Sequence, residues 1–246
     1  LPLVGGVEVL GHDANGLGAL AKPAGVLSHP NECGKDRGRA LLDAEYDFDA
    51  ECFVWTDTAS GDERRLWLLN RLDSATSGVI LVAADGKLAA DVKAQFQRKA
   101  IAKTYVALVF GVPRVPREMW RDRLAVERKG GVVRSSVAGG HIPAESESRV
   151  LRTARGPQPL ALLELKPRTG RTHQLRVQCA RRQLPIVGDQ TYGDFRRNRE
   201  FAKVARTKRL FLHSLETQVR YAWRGREWSF AARAELPAEF EAALAL

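Results

Sequence analysis

Asp73 is the acid in this chain whose neighbours best suit chemistry. It follows the apolar segment Leu66 to Leu69 and Arg71, and it precedes Thr76-Ser77-Gly78 and the apolar run Val79 to Ala83. A carboxylate at a strand junction, beside an arginine and a glycine turn, is held where a ligand can approach. The many acids expected on helix faces are not. Such a group can act as a nucleophile or as a general base.

Three further clusters offer partners. Arg168-Thr169-Gly170-Arg171-Thr172-His173-Gln174-Leu175-Arg176 follows a strand signal. A helix opening at Thr169-Gly170 would present free backbone N–H groups and a positive dipole end to a phosphate. Arg171 and His173 would then lie in its first turn, while Arg176 projects in another direction and can face a carboxylate. The plainer alternative is a solvated basic helix start. Lys103-Thr104-Tyr105 opens a strand, where a tyrosine is most often half-buried packing. Lys22 precedes the Pro23-Ala24-Gly25 turn, which would be a loop in any protein, although its ammonium can reach a phosphate.

Other chemistries find no support. The 5 histidines are scattered without metal-ligand spacing, so no metal is expected. No Gly-x-Ser-x-Gly elbow, dinucleotide-binding glycine loop or Walker loop is present. No second carboxylate pairs locally with Asp73, as a glycosidase would require. Cys33, Cys52 and Cys179 fit neither a disulfide framework nor a CxxC site, and read as reduced thiols of a cytoplasmic protein. The net charge of +10, carried by an arginine-rich basic set, favours a polyanionic partner such as nucleic acid. No apolar run approaches the roughly 20 residues that span a bilayer, and the first residues lack a signal-peptide pattern, so no membrane partner is expected.

The elements that must position these residues are mostly strands. Strand signals cover Leu17 to Lys22, Glu51 to Thr58, Thr104 to Phe110, Leu160 to Leu165, Leu210 to His213, Thr217 to Tyr221 and Glu227 to Phe230. Asp85 caps a helix to about Arg98, with Leu88, Val92 and Phe96 on one face. Thr169-Gly170 starts a second helix, to about Arg182, and Pro237 starts a terminal one. Pro113 to Pro143 reads as surface loop around a hairpin through Leu124 to Val133. The pattern predicts one domain over 1–246 of α+β class, with a mixed, mostly antiparallel sheet and flanking helices and loops.

In order and separation, the clusters resemble the RNA pseudouridine synthases of the RluA branch. That family's His-Arg-Leu-Asp-x-x-Thr-Ser-Gly-Leu corresponds to residues 70 to 79, with Asn70 and Val79 as the departures. Lys-Pro-x-Gly-x-x-x-His matches Lys22 to His29, and Lys-x-Tyr-x-Ala-x-Val-x-Gly matches Lys103 to Gly111. Thr-Gly-Arg-x-His-Gln-Leu-Arg matches Thr169 to Arg176, Pro-Ile-x-Gly-Asp-x-x-Tyr-Gly matches Pro185 to Gly193, and Arg-Leu-x-Leu-His matches Arg209 to His213. The similarity spans about 17–230.

The resemblance implies an enzyme that isomerises a uridine within rRNA or tRNA, breaking N1–C1′ and joining C5 to C1′, without cofactor or metal. By the same similarity Asp73 is the essential carboxylate; covalent addition and deprotonation at C2′ are both open. Tyr105 would lie against the uracil, Arg176 would pair with Asp73, Leu175 would pack beside the base, and Arg71 would fill the gap left by the flipped uridine. Lys22, Arg171 and His173 are implied as phosphate-binding or structural groups. Asn70 for histidine is expected to bear on substrate fit. Gln178 stands where a histidine is frequent, and Ala144-Glu145-Ser146 replaces Ala-x-Thr in a region expected to touch RNA. The alternatives are a catalytically silent RNA-binding or assembly protein and a DNA glycosylase on the same fold. A monomer is the expected state.

Overall fold

The computed structural model describes residues 1–31, 36, 38–97, 101–129, 132–136 and 140–246, with 96–97, 126–129 and 132–134 described by backbone alone. In chain order the first half holds β1 (Glu8–His12), β2 (Leu17–Lys22), β3 (Glu45–Asp47), β4 (Cys52–Thr56), β5 (Glu63–Leu68), β6 (Ser77–Ala83), α1 (Gly86–Gln97), β7 (Ile101–Phe110) and β8 (Arg117–Lys129). The second half holds β9 (Val132–Ser136), β10 (Ile142–Ala154), β11 (Leu160–Pro167), α2 (Gln174–Arg181), α3 (Phe195–Ala205), β12 (Leu212–Trp223), β13 (Arg226–Arg233) and α4 (Ala238–Leu244). The fold is α+β, as expected. The described strand registers are antiparallel, with one isolated parallel bridge between Leu27 and Ala40. Two compact units emerge, Leu1–Ala102 with Ser214–Glu235, and Lys103–His213 with Leu236–Leu246.

In the first unit β6 is the central strand. Its sequence, Ser-Gly-Val-Ile-Leu-Val-Ala, is apolar without alternation, and every residue is buried. β2 pairs along it from Lys22↔Gly78 to Leu17↔Ala83, β5 joins at Trp67↔Ala83 and Leu68↔Val82, and β4 and β3 extend that side. Asp85 caps α1 by accepting the N–H groups of Lys87 and Leu88 at 2.8 and 2.9 Å. Leu88 and Val92 then pack on Leu17, Ala19, Val79, Leu81, Val219 and Tyr221. The side chain of Phe96 lies outside the described residues.

In the second unit the strand order is β7-β11-β10-β8-β9. Val177 of α2 packs on Leu124 and Ala144. A run of edge-to-face rings, Phe110, Phe201, Phe211 and Phe240, holds α3 and α4 against the sheet, with centroids 5.1 to 5.9 Å apart.

Four sequence expectations change. Residues 117–123 and 142–143, expected as surface loop, belong to the long paired strands β8 and β10, and the predicted hairpin exists as β8–β9. Gly130, Gly131 and Gly139 lie outside the described residues. The two strand signals from 210 to 221 belong largely to one strand, β12, and α3 had no counterpart among the expected helices. α2 opens at Gln174 rather than at Thr169-Gly170, because His173 takes a left-handed conformation at φ 54°. In addition, the Gln174 Oε1 accepts from the Thr169 hydroxyl at 2.7 Å and the Arg171 N–H at 3.1 Å, closing a separate turn ahead of the helix.

Candidate active site

The Asp73 loop is bolted to the first unit from several sides. Before it, Leu69 N–H donates to the Leu81 carbonyl at 3.0 Å, and the Asn70 side-chain oxygen accepts the Leu81 N–H at 2.8 Å. Asn70 therefore ties the loop entry to β6. Ser28 Oγ donates to the Leu72 carbonyl at 2.8 Å and accepts the Leu72 N–H at 3.0 Å. Thr76 N–H closes a turn on the Asp73 carbonyl at 3.0 Å. Leu72, Thr76 and Ser77 are buried while Asp73 is half-buried, so the loop is anchored on both sides of a carboxylate that keeps partial access to solvent.

Lys22 lies beneath this loop. It is only 1% exposed, and its Nζ donates to the carbonyls of Pro23, Val26 and Ser74 at 3.0, 2.7 and 2.9 Å. Gly25 N–H meets the same Ser74 carbonyl at 2.7 Å. Of the two roles offered for Lys22, this burial fits the structural one, and a phosphate contact is set aside. Arg71 is exposed, and its Nη1 donates to His29 Nε2 at 3.1 Å. His29 Nδ1 therefore carries the proton and donates to the Pro30 carbonyl at 2.7 Å. After the loop, Gly78 sits at φ +115°, where an added Cβ would lie 2.1 Å from the Ser214 carbonyl oxygen. Only glycine fits there.

In the second unit the residues around α2 form a buried polar assembly. Arg176 grips Asp189 through two parallel bonds of 2.8 Å, Nε to Oδ2 and Nη2 to Oδ1. Asp189 Oδ1 also accepts the N–H groups of Thr191 and Tyr192 at 2.8 and 2.9 Å. Burial pushes this carboxyl up, but the hydrogen bonds and charge of Arg176, with those two N–H groups, outweigh it and hold the pKa below its ordinary value. The guanidinium of Arg176 lies 5.2 Å from the Tyr192 ring centroid. Tyr192 Oη meets His173 Nδ1 at 2.8 Å and accepts the Ser135 N–H at 2.8 Å. His173 thus acts as a hinge of the turn as well as a polar group. Arg171 is exposed ahead of the helix, with its Nε reaching the Pro143 carbonyl at 3.3 Å.

Leu175 is buried on α2, and Tyr105, half-buried on β7, sits opposite Leu165 of β11. Lys103 reaches the turn before α2, its Nζ 3.6 Å from where a Cβ on Gly170 would lie, and burial pulls its pKa down. Within the first unit, then, Lys22, Arg71 and Asp73 belong to one loop assembly. Within the second, Arg171, His173, Leu175 and Arg176 gather at the start of α2.

Several of the departures from the family pattern, Val79, Ala144, Ser146 and Gln178, are interior. Gln178 accepts from Ser146 Oγ at 2.7 Å and donates to Asp122 Oδ2 at 2.8 Å and the Ala144 carbonyl at 3.2 Å. Ala144 and Ser146 are fully buried on β10 and Ser146 bonds to Gln174 and Gln178 of α2, while Glu145 between them is half-buried, so the segment is a strand and not the expected loop. Asp189 and Gln174, central to this network, were quoted within motifs but assigned no role. Among the described residues no group of three or more His, Cys, Asp or Glu side chains could hold a metal ion, and no helix is long and apolar enough to cross a membrane. Cys52 and Cys179 are buried free thiols, and Cys33 lies outside the described residues.

Comparison with known proteins adds independent findings. A family model described as RNA pseudouridylate synthase matches residues 17–181. The chain is 31% identical over 229 residues to tRNA pseudouridine synthase C of Yersinia pestis, covering 89% of this chain and 83% of that one. It is also 31% identical over 213 residues to the protein of the same description from Vibrio cholerae, covering 83% of this chain and 82% of that one. Among solved structures, human RNA Pseudouridylate Synthase Domain Containing 1 matches with a TM-score of 0.70 at 20% identity, covering 96% of this chain and 87% of that one. At that identity the likeness speaks for the fold.

Proposed function

The chain belongs to the RluA branch of the RNA pseudouridine synthases, and from that premise we propose that it converts a uridine of tRNA to pseudouridine with Asp73 as its essential carboxylate. The class of enzyme follows from the family. The choice of tRNA is suggested by the descriptions of the relatives from Yersinia pestis and Vibrio cholerae. The observation that carries the role of Asp73 is its seat: a half-buried carboxylate whose flanking backbone is pinned by Ser28, Asn70 and Lys22. Such anchoring supplies the orientation that a nucleophile or base needs, since misplacement by about 1 Å can cost on the order of 100-fold in rate.

In this reading Asp73 attacks the nucleoside or removes the C2′ proton once the uridine has left its stack, and no atom is lost from the RNA. Tyr105 lies against the uracil, Leu175 packs beside it, and Arg176 keeps the reacting carboxylate ionised; these roles rest on the motif match. Within its own unit the fork to Asp189 fixes the guanidinium plane of Arg176. Arg71 fills the stack, and Arg171 meets a backbone phosphate from its exposed position before α2. Both compact units serve as one catalytic domain, acting in the cytoplasm as a monomer.

Mapping pseudouridine in tRNA and rRNA from cells with and without the gene tests this directly. The expected result is loss of the modification at one or a few tRNA uridines. An unchanged map overturns the catalytic reading, and a loss confined to rRNA overturns the tRNA assignment alone.

A further inference from the structure

Arg71 does not stand alone on the surface. Its partner His29 stacks on Tyr46, with ring centroids 5.0 Å apart and planes 14° from parallel. Phe48 meets both rings edge-on, at 6.1 and 5.1 Å, and Phe53 closes on Tyr46 from the other side at 5.0 Å. Phe53 is buried in the core, yet Phe48 is 41% exposed. The charge around the cluster is largely paired off. Lys93 Nζ binds the Glu51 carboxylate at 2.6 Å, and Asp47 is turned into its own backbone, accepting the N–H groups of Asp49 and Ala50 at 3.0 and 2.9 Å. Burial raises the pKa of the Tyr46 hydroxyl, which therefore stays neutral. What reaches solvent is an apolar ring beside a guanidinium fixed through a histidine.

A lone exposed phenylalanine signifies little. Here the ring is held by two others and set beside a cation two residues from Asp73, a combination suited to a flat, uncharged π surface tethered to phosphates. We propose that Phe48, supported by His29 and Tyr46 and flanked by Arg71, is a stacking site for the unpaired nucleobase next to the target uridine in the RNA. This rests on the RNA reading above. When a uridine flips, its neighbour loses a stacking partner. Phe48 and the Arg71 plane replace that face, and because every base has one, the site tolerates any neighbour. His29 is then a positioning residue that aims Arg71.

Affinity for tRNA isolated from cells lacking the gene, measured by filter binding, tests the proposal independently of turnover. Phe48→Leu is expected to weaken binding about 5- to 20-fold, Phe48→Trp to stay within about twofold of the parent, and Phe195→Leu, at an exposed ring on α3, to change nothing. Unchanged binding in Phe48→Leu, or an equal loss in Phe195→Leu, overturns the site. Should Phe48→Leu fold poorly, the parent protein decides the matter. Near-ultraviolet crosslinking to tRNA transcripts containing 4-thiouridine should label a peptide at residues 46–48, and labelling confined to other peptides overturns the proposal. Tight tRNA binding without pseudouridine formation would leave this site standing and remove the catalytic reading instead.

Discussion

Asp189 and Arg176 meet through a fork that a lysine cannot reproduce, because two parallel N–H groups match two carboxylate oxygens. The pair is almost wholly buried, so its contribution depends on both charges being present. The Asp189 pKa lies below the ordinary value of 3.8. A depressed carboxyl stabilises the fold fully above the unfolded value and loses that stabilisation as pH falls through the lower folded value. Urea unfolding at a series of pH values should therefore show stability falling below about pH 4. Asp189→Asn should be less stable at neutral pH by roughly 3 kcal/mol and flatter across the acid range. An acid limb equally steep in the variant would remove Asp189 as its source. Neither the fork nor the acid sensitivity is visible in the motif Pro-Ile-x-Gly-Asp, where the aspartate stands 13 residues from its arginine.

At the scale of elements, the Asp73 loop depends on how closely β6 approaches its neighbour at Gly78. A methyl group there meets the Ser214 backbone and also demands a residue at φ +115°. Gly78→Ala should destabilise the protein by on the order of 3 kcal/mol, seen as a drop in thermal midpoint together with faster hydrogen exchange at residues 70–83. Parent-like stability would mean that the approach is looser than described. β6 and α1 were legible because their signals are local: an unbroken apolar run, and an aspartate cap ahead of Leu88 and Val92. β8 and β10 were not, because their inward positions include Asp122, Ser146 and Ser148, all buried polar residues. Gln178, Gln174, Arg181 and Arg182 of the α2 segment satisfy two of them, Asp122 and Ser146. Polar partners on another element erase the alternation that marks a strand. α3 was missed for a related reason: only Asn198 and Phe201 of it are buried, too thin a stripe to read. The candidate residues were found through motif order, and the supporting Asn70, Ser28 and Gln174 bonds required coordinates.

At the scale of the whole molecule, the charge of +10 predicts how RNA is held. Several arginines that neutralise phosphates release counterions on binding. Affinity for tRNA should then fall about tenfold or more between roughly 50 and 200 mM salt, and a flat salt response would place recognition elsewhere than on the basic surface. The central claim, that Asp73 isomerises a uridine in tRNA, is tested most directly by quantifying pseudouridine after purified protein acts on tRNA from cells that lack the gene. The parent should raise pseudouridine toward a fixed stoichiometry, while Asp73→Asn binds the same tRNA and forms none. Parent-like pseudouridine formation by Asp73→Asn would contradict the account.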